Sequence, residues 1–230
     1  MFLSKVSNAM LSTGVEHPNS ATRRRLQSRL DRMAETVSYY DGHADAYAAA
    51  TMAIDTSNQV ERFAAMLPSG GRVLDAGCGA GRDLMQLAAL GLNPVGIDIS
   101  ATLVSLARRS GLPVEVADFR AHAFKPESFD GIWAMASLLH LERWELPGVL
   151  SSFSRILRPG GVLFASVKRG SGDVQDDTGR WFTLYDEEAW AGHLRAAGLE
   201  VIEVIGEPPS ADGATGTVAP GWISSLARKK

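Results

Sequence analysis

The sequence holds one cysteine, Cys78, in 230 residues. No intrachain disulfide is therefore possible, which fits a reducing compartment. No His/Cys group has zinc-site spacing, so no metal is expected. No apolar run approaches the length of a membrane span. The opening stretch Met1-Phe-Leu-Ser-Lys5 gives way to polar residues with no secretory hydrophobic segment, and the expectation is a cytoplasmic protein away from membranes. Charge of one sign is not in excess either: 23 Lys and Arg stand against 26 Asp and Glu, a formal net charge of -3. A protein that grips nucleic acid with a broad basic surface is thus not expected. What the chain does have is a 45% hydrophobic share, ample for a sizeable core, and an ordinary 21% of charged residues.

Residues 1–20 lack periodicity and are expected to be poorly ordered. Residues 21–54 read as a helical cap. There Leu26, Leu30, Met33 and Val37 recur at helical spacing, with Arg23, Arg24, Arg25, Arg29 and Arg32 at other positions. Such a basic amphipathic helix packs on its domain, or binds acidic lipid, RNA or a partner. Residues 55–230 read as one domain. It opens with a helix over Asp55–Leu67 and then alternates strand and helix, which predicts a mainly parallel sheet with helices on both faces. Right-handed crossovers make this a doubly wound α/β fold, with the ligand beyond the carboxyl ends of the strands. Strands are expected at 72–76 and 93–98, before Asp118 within 112–118, at 128–134, after the Pro-Gly-Gly turn within 157–167, and at 199–205 and 222–226, seven in all. Residues 169–180 read as a polar, glycine-rich loop on the ligand edge, followed by the aromatic run Arg180-Trp-Phe-Thr-Leu-Tyr185. No function is assigned to the linker 206–221.

The densest signal is Val73-Leu-Asp-Ala-Gly-Cys-Gly-Ala-Gly-Arg-Asp83. Strand, glycine turn, helix brings backbone close to a nucleotide-like ligand. A dinucleotide motif would need a third glycine where Arg82 stands. Gly77, Gly79 and Gly81 instead alternate, and Asp75 precedes the turn. A carboxylate there suits a cation or an amine better than a pyrophosphate. Cys78 reads as a small buried filler. Asp98, closing the second strand about 20 residues beyond the turn, is placed to accept ribose hydroxyls.

In these motifs the sequence resembles the class I S-adenosylmethionine (SAM)-dependent methyltransferases, from residue 39 to 205 and again in the last strand. Ser128–His140 is similar to the family's fourth strand and its exit, and Leu157–Val167 to its Pro-Gly-Gly turn and fifth strand. The resemblance implies a seven-stranded sheet with an antiparallel edge hairpin and SAM as cofactor, a ligand with a sulfonium and an α-ammonium but no phosphate. It implies that Asp75, Gly77, Gly79 and Gly81 hold the methionine part. Asp98 would hold the ribose, Asp118 and Phe119 the adenine, and Ile99 would belong to the same cofactor-binding set. Ala134 would sit at the end of strand four, and Tyr39 in a segment lying over the cofactor. For catalysis, His140 is the candidate base, Tyr39, Tyr40 and Tyr47 would shape the methyl pocket, and Arg180, ahead of Lys168 and Arg169, would meet an acidic group of the acceptor. Trp133 reads as core. The exit Ala134-Met-Ala-Ser137 lacks the Asn/Asp-Pro-Pro-aromatic motif of enzymes that methylate amides or DNA bases. The expected substrate is a small molecule. The alternatives are a SAM-consuming cyclase, a nicotinamide-dependent oxidoreductase and a non-catalytic SAM-binding regulator; the pattern carries no signal of oligomeric state.

Overall fold

A computed structural model describes residues 32–211 and 218–230. The expectations for residues 1–20, and most of the arginine-rich helix, therefore lie outside the described residues. Residues 32–42 are helical (α1). Then follow α2 (Ala44–Met52), α3 (Ser57–Ala64), β1 (Arg72–Ala76), α4 (Arg82–Ala89), β2 (Asn93–Asp98), α5 (Ala101–Arg109), β3 (Val114–Val116) and β4 (Phe129–Ala134). After a 3-10 turn (Leu138–His140) come α6 (Leu146–Ile156), β5 (Leu157–Lys168), β6 (Asp173–Gln175), β7 (Trp181–Thr183), α7 (Glu187–Ala196) and β8 (Leu199–Gly206). The short strands β9 (Ser210–Ala211) and β10 (Val218–Ala219) pair before β11 (Trp222–Lys229) closes the chain.

The main sheet has seven strands in the order β3-β2-β1-β4-β5-β11-β8. All pairs are parallel except those of β11, which runs antiparallel to both β5 and β8. Strand order reverses between β1 and β4, which opens a crevice at their carboxyl ends. Alternation along each strand sends side chains to two cores. Val73, Trp133 and Phe164 meet Val60 and Phe63 of α3 and Leu87 of α4 on one face. Leu74, Ile132, Leu163 and Ala165 meet Phe153 of α6 and Trp190 and Leu194 of α7 on the other. The Ser100 hydroxyl caps α5 by accepting from the Leu103 amide at 3.2 Å.

The boundaries that differ from the sequence expectation include two at the ligand edge and the chain's last strand. The span 169–180 is not an open loop: β6 pairs with β7, Val174 opposite Phe182. Asp176 makes the turn, its carboxylate accepting from the amides of Thr178 and Arg180. All three β6 residues are exposed, so the strand leaves no apolar alternation to read. The last strand also runs to Lys229 rather than 226, because its ladder with β5 continues and Lys229 Nζ donates to the Leu157 carbonyl at 2.8 Å. Among the described residues no helix is long and apolar enough to cross a membrane.

Candidate active site

Two cavities meet at the crevice. The larger, about 820 Å³, is lined by the β1–α4 turn, α2, the Asp55–Gln59 segment, Val174 of β6 with Asp176 beyond it, the end of β5 and the start of β11. The smaller, about 90 Å³, lies between Asp98, Ile99, Asp118, Phe119 and the inner face of α1. Tyr40, Tyr47, Gly77, Gly79 and His140 line both.

The glycine turn is built for close approach. Gly77, Gly79 and Gly81 all have positive φ, at 91°, 52° and 90°. Their surroundings differ. A Cβ on Gly77 would lie 2.4 Å from Ser137 Cβ, and one on Gly81 2.2 Å from Leu112 Cδ1. A Cβ on Gly79 would meet no atom within 4 Å, because that position faces the open cavity. Gly81 lines neither cavity; it lets α4 start against α5. Ala134 is likewise buried in β4 and lines neither cavity, while its successors Met135 and Ala136 do.

Asp75 is 2% exposed and accepts no hydrogen bond among the described residues. Burial, with the carboxylates of Asp83 and Asp98 nearby, raises its pKa well above the usual aspartate value, against the pull of Arg82. Asp83 is fully engaged: Arg82 pairs with it through two nitrogens at 2.7 and 2.9 Å, and Thr56 and the Trp133 indole donate to it at 2.8 and 2.9 Å. Trp133 is thus both a core residue, stacked on Phe164 at 4.0 Å, and the clamp of a site carboxylate. Nothing in the strand pattern announced that second role.

Asp98 accepts from the Gly79 amide at 2.9 Å and from the Ser100 amide at 2.8 Å. Burial raises its pKa and these amides oppose the rise. A carboxylate has about four lone-pair sites, so acceptors remain for hydroxyls. Asp118 and Phe119 line the small cavity, but Asp118 is not free: Arg120, two residues on, pairs with it at 2.6 Å and reaches Glu145 at 3.1 Å. Helix α1 covers this cavity with Met33, Thr36, Val37 and Tyr40. It is braced on both flanks. Asp41 accepts from the Ser100 hydroxyl at 2.6 Å, and the Arg32 guanidinium lies 3.9 Å over the Trp181 ring and 3.6 Å from Asp173.

His140 sits at the junction. Its Nδ1 lies 2.9 Å from the Trp181 carbonyl, which can only accept, so Nδ1 carries the proton. Its Nε2 therefore accepts from the Tyr40 hydroxyl at 2.9 Å. Burial and the Arg180 and Lys168 charges push its pKa down to about 4, against the Trp181 contact. Burial also raises the Tyr40 phenol above its ordinary value, chiefly by desolvation. Arg180 is held rather than free: Asp176 takes its guanidinium at 2.7 Å, and the ring of Tyr39 lies 4.5 Å from it. Tyr39 stacks on His43 and lines neither cavity, and Arg169 pairs with Glu187. Lys168 lines the large cavity between the rings of Phe182 and Trp222.

An adenosyl ligand with an α-ammonium fits these residues. Gly79 leaves space where a side chain would stand, Asp75 is a buried carboxylate without a partner, and Asp98 has spare acceptor sites in the adjoining cavity. Among the described residues no group of three His, Cys, Asp or Glu could hold a metal.

The family described as a methyltransferase domain matches residues 73–161. The chain is 31% identical over 201 residues to 27-O-demethylrifamycin SV methyltransferase of Amycolatopsis mediterranei (strain S699), covering 78% of this chain and 70% of that protein. It is 30% identical over 168 residues to phosphoethanolamine N-methyltransferase 1 of Zea mays, covering 67% of this chain but 33% of that longer protein. Among solved structures, Burkholderia thailandensis 1,6-didemethyltoxoflavin-N1-methyltransferase with bound 1,6-didemethyltoxoflavin and S-adenosylhomocysteine superposes with a TM-score of 0.67 at 24% identity, over 94% of this chain and 93% of that one. This last likeness is one of fold.

Proposed function

This chain belongs to the class I SAM-dependent methyltransferase family, and on that premise we propose how its residues move a methyl group from SAM to a small-molecule acceptor. Bound SAM supplies a methyl group made electrophilic by its sulfonium. The residues around it have to place and desolvate rather than activate. Asp75 receives the α-ammonium; a cation beside it returns its carboxyl to the charged form. The backbone of Gly77 and Gly79 lies against the methionine part. Asp98 accepts from the ribose hydroxyls, and Asp118, steadied by Arg120, borders the adenine with Phe119. Residues 32–54 act as the cap.

The acceptor occupies the large cavity near Tyr40, His140, Phe182 and Trp222. The geometry supports a positioning role for the Tyr40–His140 pair. Both ring nitrogens of His140 are already hydrogen-bonded, and an imidazolium there would face Arg180 and Lys168 in a buried site. His140 therefore fixes the Tyr40 hydroxyl and holds that ring against the acceptor. The observation that carries the reading is the unpartnered, buried Asp75 beside the open position of Gly79. The test is incubation with SAM and a metabolite library, following S-adenosylhomocysteine release. Release that depends on one acceptor class is expected. A protein that binds NADH tightly and fails to bind SAM would falsify the assignment of the cavity, and methylthioadenosine as product would replace methyl transfer by cyclase-type chemistry.

A further inference from the structure

The large cavity contains one cation without an anionic partner among the described residues. Arg82 is matched by Asp83 and Arg180 by Asp176. The ammonium of Lys168, at the carboxyl end of β5, makes no ion pair or hydrogen bond with any described residue. Its ammonium lies 5.1 Å from the Phe182 ring centre and 4.9 Å from that of Trp222. Ring faces attract a cation, yet they leave its three N–H donors without a strong acceptor. Burial and the Arg180 charge lower its pKa, with Asp176 opposing, so the ammonium is held at a cost that a neighbouring anion would relieve. The walls around it are flat and aromatic: Phe182, Trp222 and Tyr40. The nearest candidate base, His140, already accepts from Tyr40, which favours an acceptor that arrives without its acidic proton.

We propose that Lys168 is the counter-ion of the acceptor, and that the substrates are flat, unsaturated-ring compounds bearing an acidic hydroxyl that binds as the phenolate or enolate. This deepens the methyl-transfer reading and rests on it. The probe is 4-nitrophenol, whose visible band distinguishes phenolate from phenol, titrated into the S-adenosylhomocysteine-loaded protein at a pH where the free probe is protonated. Saturable appearance of the phenolate band is expected. Lys168→Met should weaken that binding by about 10- to 100-fold, the value of a charge-assisted hydrogen bond, and Lys168→Arg should restore most of it. Binding as the neutral phenol, equal affinity in Lys168→Met, or no saturable binding by the loaded wild type would each overturn the proposal. S-adenosylhomocysteine affinity is measured first on every variant. If the wild type fails that step, the cofactor reading falls; if it passes and the phenolate results fail, only the role of Lys168 falls.

Discussion

Gly77 and Gly79 share a positive φ and sit two residues apart, yet alanine at each should do opposite things. At Gly79 the left-handed backbone costs an L-residue about 1–2 kcal/mol. The new Cβ meets no atom within 4 Å, so nothing is added for packing. At Gly77 the same strain applies, and the Cβ falls 2.4 Å from Ser137 Cβ. Overpacking of that kind adds about 1–3 kcal/mol, which brings the total to about 2–5 kcal/mol. For a chain of this size each kcal/mol moves the melting temperature by about 2–4 °C. Gly79→Ala should therefore melt about 2–8 °C low and Gly77→Ala about 4–20 °C low. Ligand affinity should invert the order of concern. The Gly79 methyl projects where the methionine part is placed, and an overlap worth about 1–3 kcal/mol weakens binding by about 5- to 150-fold. Differential scanning fluorimetry gives the first pair of numbers and calorimetric titration with S-adenosylhomocysteine the second. A Gly79→Ala protein that binds S-adenosylhomocysteine as tightly as the wild type would refute the placement of the ligand against that turn.

Asp75 should release a proton when an α-ammonium ligand binds, so S-adenosylhomocysteine affinity should rise with pH up to the raised pKa of the free protein; titrations in buffers of different ionisation enthalpy read the proton, and Asp75→Asn should abolish it. The same carboxyl, protonated when folded and charged when unfolded, makes the ligand-free protein lose stability as pH climbs from the ordinary aspartate value to the raised one, a slope absent in Asp75→Asn. His140 has the opposite sign: neutral when folded and protonated when unfolded, it costs stability as pH falls from 6.5 to about 4, and His140→Gln should flatten denaturant midpoints across that window. Trp133→Phe keeps the stack on Phe164 but removes the donor to Asp83, and should lower stability by about 1–3 kcal/mol in urea titration; an unchanged midpoint would mean that Arg82 and Thr56 suffice.

The fold was legible because glycine turns, apolar strands and their alternation are local signals. Asp75, Gly77, Gly79, Asp98 and Asp118 could be picked out because each stands at a strand end or in the turn. What escaped notice came from contacts distant in sequence. Arg180 looked like a free hand for an acidic substrate, but Asp176 closes on it only once β6 folds against β7. Lys168 ranked behind Arg180 as a contact for an acidic group, and its place between Phe182 and Trp222 depends on β11 lying beside β5. Gly81 and Ala134 matched the motif's spacing while serving packing, because spacing does not say which way a Cβ would point. The Tyr40–His140 bond spans 100 residues, and no window of sequence contains both.

The bracing of α1 against the β6–β7 hairpin ties two specificities together. Thr36 accepts from the Trp181 amide and Glu35 from its indole, while the same hairpin supplies Phe182 to the wall where the acceptor is placed. The cover over the proposed nucleoside site and the wall beside the proposed acceptor site are thus one mechanical piece. On that placement, evolution or an engineer that retailors the hairpin for a different molecule should disturb the grip on the methyl donor at the same stroke.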